Sequence, residues 1–312
     1  MNKPFFKILT LLCGLVLFSA AHCAAAQTPA PSPAKGAGRG ECLVLRSEIL
    51  MQSVPYCVLL PPSYDAQKTR RYPVLYFLHG LGGNEQMFFD SGGWELVQEL
   101  WQEGKIGEFL IVVPRGGSSF FINSQNGKYR YEDFFIKEFL PAVEKRYRIR
   151  ATRESRGIAG ISMGGYGALH LAFRHPGLFA VVSAHSAALI DKLPTIAASN
   201  SRVSGPLQIF GDVFGSPLDQ AFWNANNPIV LARTANLSGL KIYFDCGEQD
   251  DYGFENGAQT LHNVLDSRRI PHDFHLYPGD HSWLYFATHL PASLAFDSRA
   301  FGLATPAASS AN

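Results

Sequence analysis

The chain has 312 residues, 46% of them hydrophobic, and a formal net charge of +1. That is enough apolar material for one large α/β domain with a full core, or two small ones. There is no long basic run, so a nucleic-acid partner is not expected.

Lys3 and Lys7 precede an apolar run from Ile8 to Ala21, and Ala24-Ala25-Ala26 follows as a small-residue cleavage site. Residues 1–26 read as a secretory signal peptide. The run is short for an uncleaved membrane anchor, and His22 is a poor residue before a lipidated Cys23. A periplasmic or secreted protein without stable membrane association is the expectation. Residues 27–40, rich in Pro, Ala and Gly, read as a disordered linker. The catalytic domain is expected over 41–301, and 302–312 as a disordered tail.

Strand and helix patterns alternate through the domain. Cys42 to Leu50 and Tyr56 to Leu60 form an opening hairpin, closed by Pro61-Pro62. Val74 to Leu78 is a continuous apolar run, as a strand buried on both faces requires. Phe109 to Val113, Gly157 to Ile161, Val181-Val182, Leu240 to Phe244 and Phe274 to Tyr277 follow, giving about eight strands. Helical periodicity fills the gaps: Trp94 to Trp101, Phe134 to Val143 with a kink at Pro141, and Phe254 to Leu265. Such alternation means right-handed crossovers and a mostly parallel sheet with helices on both faces. The segment from Ser186 to Asn236 is less regular and reads as an insertion over the C-terminal edge of the sheet.

Cys42 and Cys57 fall on the two hairpin strands, so antiparallel pairing and export together predict a disulfide. Cys246 ends a strand and reads as a small core residue.

The chemistry centres on Gly160-Ile161-Ser162-Met163-Gly164, between an apolar strand and a helix with an apolar face. Gly-x-Ser-x-Gly in that context is the nucleophile elbow of α/β-hydrolases, with Ser162 as nucleophile. A serine hydroxyl needs a base, and the base needs an orienting carboxylate. In this fold they follow the serine in the order acid, then histidine. His281 stands on the loop after the last strand. His275 lies inside that strand, His262 mid-helix and His289 in the C-terminal helix, so each fits less well. The acid should leave the preceding strand, in Cys246-Gly247-Glu248-Gln249-Asp250-Asp251. Asp250 fits best and Asp251 next; Glu248 sits close to the strand end, and either aspartate could instead cap the following helix. The oxyanion needs two N–H donors. Met163, just after the nucleophile, and Leu81, in His79-Gly80-Leu81-Gly82-Gly83-Asn84, supply them. His79, Gly80, Trp223 and Trp283 are the expected substrate contacts. No Cys-x-x-Cys, His-Glu-x-x-His, dinucleotide or P-loop pattern is present, so no metal or cofactor is expected.

From about Cys42 to Asp297 these blocks resemble the esterase D family of α/β-hydrolases. The resemblance rests on Leu78 to Glu85, Tyr131-Glu132-Asp133-Phe134-Phe135, the elbow with Met163, Asp245 to Asp250, and Gly279-Asp280-His281-Ser282-Trp283. It implies a Ser162–His281–Asp250 triad and favours Asp250 over Asp251. It also implies a carboxylesterase acting on a small-molecule ester, a short acyl ester or an acylated or feruloylated saccharide. Related activities are S-formylglutathione thioesterases and mycolyltransferases. The former are cytosolic and commonly carry a cysteine where Gly82-Gly83 stands here. A non-catalytic binding protein on the same fold is the rival from another class.

Overall fold

The computed structural model describes residues 37–191 and 206–303, the side chains of 206–209 excepted. The leader, most of the linker, part of the 186–236 segment and the last nine residues lie outside the described residues.

Eight strands form one sheet in the order β1-β2-β4-β3-β5-β6-β7-β8. β1 (Arg39–Ser47) and β2 (Gln52–Leu60) make the antiparallel hairpin, and β2 pairs antiparallel with β4 (Leu110–Pro114). From β4 onward every pair is parallel: β3 (Val74–Leu78), β5 (Arg156–Ile161), β6 (Val181–His185), β7 (Lys241–Gly247) and β8 (Asp273–Tyr277). β1 starts at Arg39, so the strand takes in the last two residues of the expected linker. At the other end Leu303, placed in the expected tail, packs against Gly107.

Period-two alternation divides the central strands between two cores. Val74, Tyr76 and Leu78 face one side, while Leu75 and Phe77 face the other. Because helices cover both faces, β3, β4, β5 and β6 are buried throughout, which explains their unbroken apolar runs. α1 (Met87–Asp90), α2 (Gly93–Gln102) and α10 (Trp283–Ala300) serve the smaller core. The larger core takes α3 (Tyr131–Phe134), α4 (Leu140–Arg146), α5 (Met163–Arg174), α6 (Pro206–Phe214), α7 (Gln220–Asn226), α8 (Pro228–Leu231) and α9 (Phe254–Ser267). The kink expected at Pro141 takes the form of a π-helical turn, Phe135–Phe139, between α3 and α4. Proline lacks an N–H and its ring crowds the carbonyl four residues back; a widened turn absorbs both. No described helix is long and apolar enough to cross a membrane.

Cys42 and Cys57 stand directly opposite in the hairpin register and form a disulfide. Cys246 is a free, buried thiol.

Candidate active site

β5 delivers Ser162 at its C-terminal end, and α5 starts at the next residue. Ser162 has φ 54 and ψ −120, a region that non-glycine residues rarely occupy. The turn holds this conformation because its surroundings are tied down. The Ser162 N–H donates to the His185 carbonyl at 2.9 Å, and the Ser162 carbonyl accepts from Tyr166 and Ala188, each at 3.0 Å. The flanking glycines are needed for space. A Cβ on Gly160 would lie 2.4 Å from the Gly164 backbone, and one on Gly164 would lie 2.0 Å from the Leu78 carbonyl oxygen.

The Ser162 Oγ is 2.9 Å from His281 Nε2. His281 Nδ1 is 2.6 Å from Asp250 Oδ2. Three residues far apart in sequence thus form one line, carried by the ends of β5, β7 and β8. Burial would raise the Asp250 carboxyl, but the His281 hydrogen bond and charge, with the Tyr252 and Phe254 N–H groups, outweigh it. The result is a carboxyl held below its ordinary value, ionised at neutral pH. Asp251 does not reach the imidazole: its Oδ2 accepts from the His281 backbone N–H at 3.3 Å. Glu248 is tied into the loop through its own N–H, which donates to the Tyr277 carbonyl at 2.8 Å.

His79 is fully buried, and its partners fix its tautomer. Nε2 accepts from the Gly116 N–H at 2.8 Å, so Nδ1 carries the proton and donates to the Gly80 carbonyl at 2.7 Å. Burial pushes its pKa down, which keeps the ring neutral. The Gly80 carbonyl also accepts from Gly83 at 3.0 Å. In a planar trans peptide the N–H points opposite to the C=O. Pinning the Gly80 carbonyl therefore turns the Leu81 N–H to the other edge of the peptide. Gly80 stands against the nucleophile, since a Cβ there would be 3.5 Å from Ser162 Cβ. A bidentate Arg115–Glu85 pair at 2.6 and 2.8 Å anchors the same loop to the exit of β4. Met163 is the first residue of α5, where N–H groups have no partner inside the helix and the dipole is positive.

Two expected substrate contacts fall elsewhere. Trp223 is 0% exposed and packs on Phe214 and Tyr166 in the larger core. A fully buried ring offers a ligand no surface, so Trp223 is a core residue. His79, also 0% exposed, meets the backbone of Gly80 and Gly116 and offers a ligand no surface either. Trp283 opens α10 half-buried against the smaller core, two residues after His281. Sequence reasoning missed Tyr252, which is 65% exposed with its ring edge-on to His281 at 4.8 Å. Its signal was an aromatic residue directly after Asp250-Asp251. Phe254 and Phe286 flank the same imidazole at 5.5 and 5.4 Å. A cavity of about 300 Å³ lies between the loop after β4 (Gly116 to Ser119) and Asp212 and Val213 of α6. Two consecutive residues of that loop, Phe120 and Phe121, have φ 53 and 58; packing on Tyr166, Phe214, His79 and Tyr131 holds them there.

Beneath the site, Asp245 of β7 accepts from the Tyr243 and Tyr285 hydroxyls at 3.0 and 2.9 Å. His185 Nδ1 lies 2.8 Å from Asp245 Oδ2 but without hydrogen-bond alignment. On the flank, buried Glu132 joins α3 to α5 through His170 at 3.0 Å, His175 at 2.7 Å and Arg174 at 3.2 Å.

Comparison with known proteins fits this arrangement. An esterase of Mycobacterium tuberculosis (strain H37Rv) is 35% identical over 244 residues, 72% of this chain and 51% of the relative. The chain thus spans about half the length of that relative. The S-formylglutathione hydrolase of Mus musculus is 27% identical, over 75% of this chain and 84% of its own. A solved ferulic acid esterase superposes with TM-score 0.73 at 28% identity, covering 85% of this chain and 99% of its own. The model of the Esterase family matches residues 47–296, a stretch that runs from the opening hairpin past both loops that meet at Ser162, and the chain belongs to that family.

Proposed function

We propose that the protein is an exported serine carboxylesterase that works through an acyl-enzyme on Ser162. The observation that carries this reading is the unbroken line Ser162 Oγ–His281 Nε2 and His281 Nδ1–Asp250 Oδ2, at 2.9 and 2.6 Å. His281 takes the Ser162 proton as Oγ attacks the ester carbonyl carbon. The carbonyl oxygen becomes an oxyanion, received by the Leu81 and Met163 N–H groups. When the tetrahedral intermediate collapses, the C–O bond to the alcohol breaks and His281 returns the proton to the leaving alcohol. Water then attacks the acyl-enzyme with His281 again as base, releasing the acid and restoring Ser162. Asp250 stays ionised throughout; it orients the ring and stabilises the imidazolium.

The substrate is a small ester, a short acyl ester or an acylated or feruloylated saccharide. The structural likeness to a ferulic acid esterase supports the feruloyl branch. Exposed Tyr252 beside His281 gives an aromatic acyl group a ring to meet. The Cys42–Cys57 disulfide supports export to an oxidising compartment, periplasmic or secreted. The mouse relative favours a second reading, a thioesterase on S-formylglutathione. A fluorophosphonate probe should label the wild type and leave Ser162→Ala unlabelled. Ser162→Ala should lose on the order of a millionfold in kcat on p-nitrophenyl esters. A Ser162→Ala enzyme keeping a tenth of wild-type turnover defeats the mechanism. Faster turnover of S-formylglutathione than of methyl ferulate and p-nitrophenyl acetate selects the thioesterase.

A further inference from the structure

Cys246 lies on β7, fully buried, next to the loop that carries Asp250. Its Sγ is 3.6 Å from Asp250 Oδ2, the same oxygen that meets His281 Nδ1. The other oxygen, Oδ1, accepts from the Tyr252 N–H at 3.0 Å and the Phe254 N–H at 3.5 Å. Among the described residues, His281 and Cys246 are the side chains bonded to this carboxylate. A carboxylate cannot donate, so the contact requires the thiol to keep its proton. It does: burial pushes the thiol well up, the Ser186 hydroxyl opposes this, and the charge of Asp250 adds to it.

We propose that Cys246 is a positioning residue for the triad: its S–H holds the Asp250 carboxylate in plane with His281 and shares the charge on Oδ2. The inference rests on the triad reading above. Two consequences follow from removing the donor. The carboxylate gains freedom about its Cβ–Cγ bond, so the imidazole is less well oriented when Ser162 attacks. Oδ2 also presents more charge to the imidazolium, which then keeps its proton to a higher pH. Substrate binding should be untouched, because the sulfur is sealed from solvent. The other polar groups around it are Asp245 of the same strand, Tyr285 of α10 and the Ser186 hydroxyl. His281 and Asp250 complete the surroundings, and each is the same in every Cys246 variant below.

The test compares Cys246→Val, which fills the volume without a donor, with Cys246→Ser, which keeps a donor in less volume. Both are assayed for kcat, KM and kcat/KM against pH on p-nitrophenyl acetate, with thermal melts as a fold check. Cys246→Val should lose roughly five- to tenfold in kcat, with KM changed less than about twofold, consistent with one weak buried hydrogen bond. Its acid limb should move to higher pH. Cys246→Ser should keep the wild-type limb and most of the turnover. If Cys246→Val unfolds, Cys246→Ala carries the same expectation. The reverse order, a valine enzyme with the wild-type profile and a crippled serine enzyme, makes the sulfur a packing atom and overturns the proposal. Asp250→Asn serves as the control. If it stays active, the triad reading itself has failed and this inference falls with it. If Asp250→Asn is crippled while the valine and alanine profiles do not move, only the role of the thiol is lost.

Discussion

Asp250→Asn and Asp251→Asn remove one negative charge each from adjacent positions, yet their cost should differ by about three orders of magnitude. Asp250 Oδ2 sits 2.6 Å from His281 Nδ1, which fixes the proton on Nδ1 and leaves Nε2 free to accept from Ser162. An asparagine amide can present its NH2 to the ring instead. That favours the tautomer with the proton on Nε2, which cannot act as base; in the serine proteases the equivalent change costs about 10⁴ in kcat. Asp251 only accepts from the His281 backbone N–H, at 3.3 Å. An asparagine oxygen can keep that bond. Losing it altogether is worth about 1 kcal/mol, or roughly fivefold in rate. The assay is kcat/KM on p-nitrophenyl acetate at pH 7.5, with circular dichroism and melting curves to show that both variants are folded. An Asp250→Asn enzyme within tenfold of wild type, or an Asp251→Asn enzyme losing more than a thousandfold, would refute the reasoning.

Other consequences concern stability. The Cys42–Cys57 bridge spans 15 residues, so Cys42→Ser with Cys57→Ser should cost up to about 3 kcal/mol. Non-reducing peptide mapping should show the two peptides linked, and melting should fall by several degrees; free alkylation of both cysteines without reduction would contradict the bridge. Glu132→Ala should destabilise by about 2 kcal/mol, because it leaves buried His170 Nε2 without its partner and removes the contacts to the more exposed His175 and Arg174. Burial would raise the Glu132 carboxyl, but His170 and His175 hold it well below its ordinary value. Its contribution is therefore complete above the unfolded carboxyl value near pH ~4.3 and is lost as pH falls through the lower folded value. Urea melts from pH 7 to pH 3 should show wild type and Glu132→Ala converging towards acid, and a constant gap would contradict the assignment.

Local signals in the sequence carried most of the fold. Apolar runs such as Val74–Leu78 and Leu110–Val113 reported strands covered on both faces, since burial on both sides leaves no position for a polar residue. The glycines around Ser162 reported a turn too tight for side chains, and strand ends located the loops of His281 and Asp250. Proline and the hairpin spacing foretold the break before Pro141 and the pairing of Cys42 with Cys57. What the sequence left open depends on contacts between distant segments. Asp250 and Asp251 are equivalent as loop acids; the approach of the β8 loop to the β7 loop decides that Asp250 meets the imidazole and Asp251 the backbone. Trp223 is aromatic in an irregular segment, which suits a pocket wall and a core equally, and only the packing of α7 onto α5 and α6 buries it. The same holds for Cys246, whose composition fits any small core position. Its bearing on the site comes from a turn that brings the carboxylate four residues onward back over the sulfur, a closure that no periodicity records.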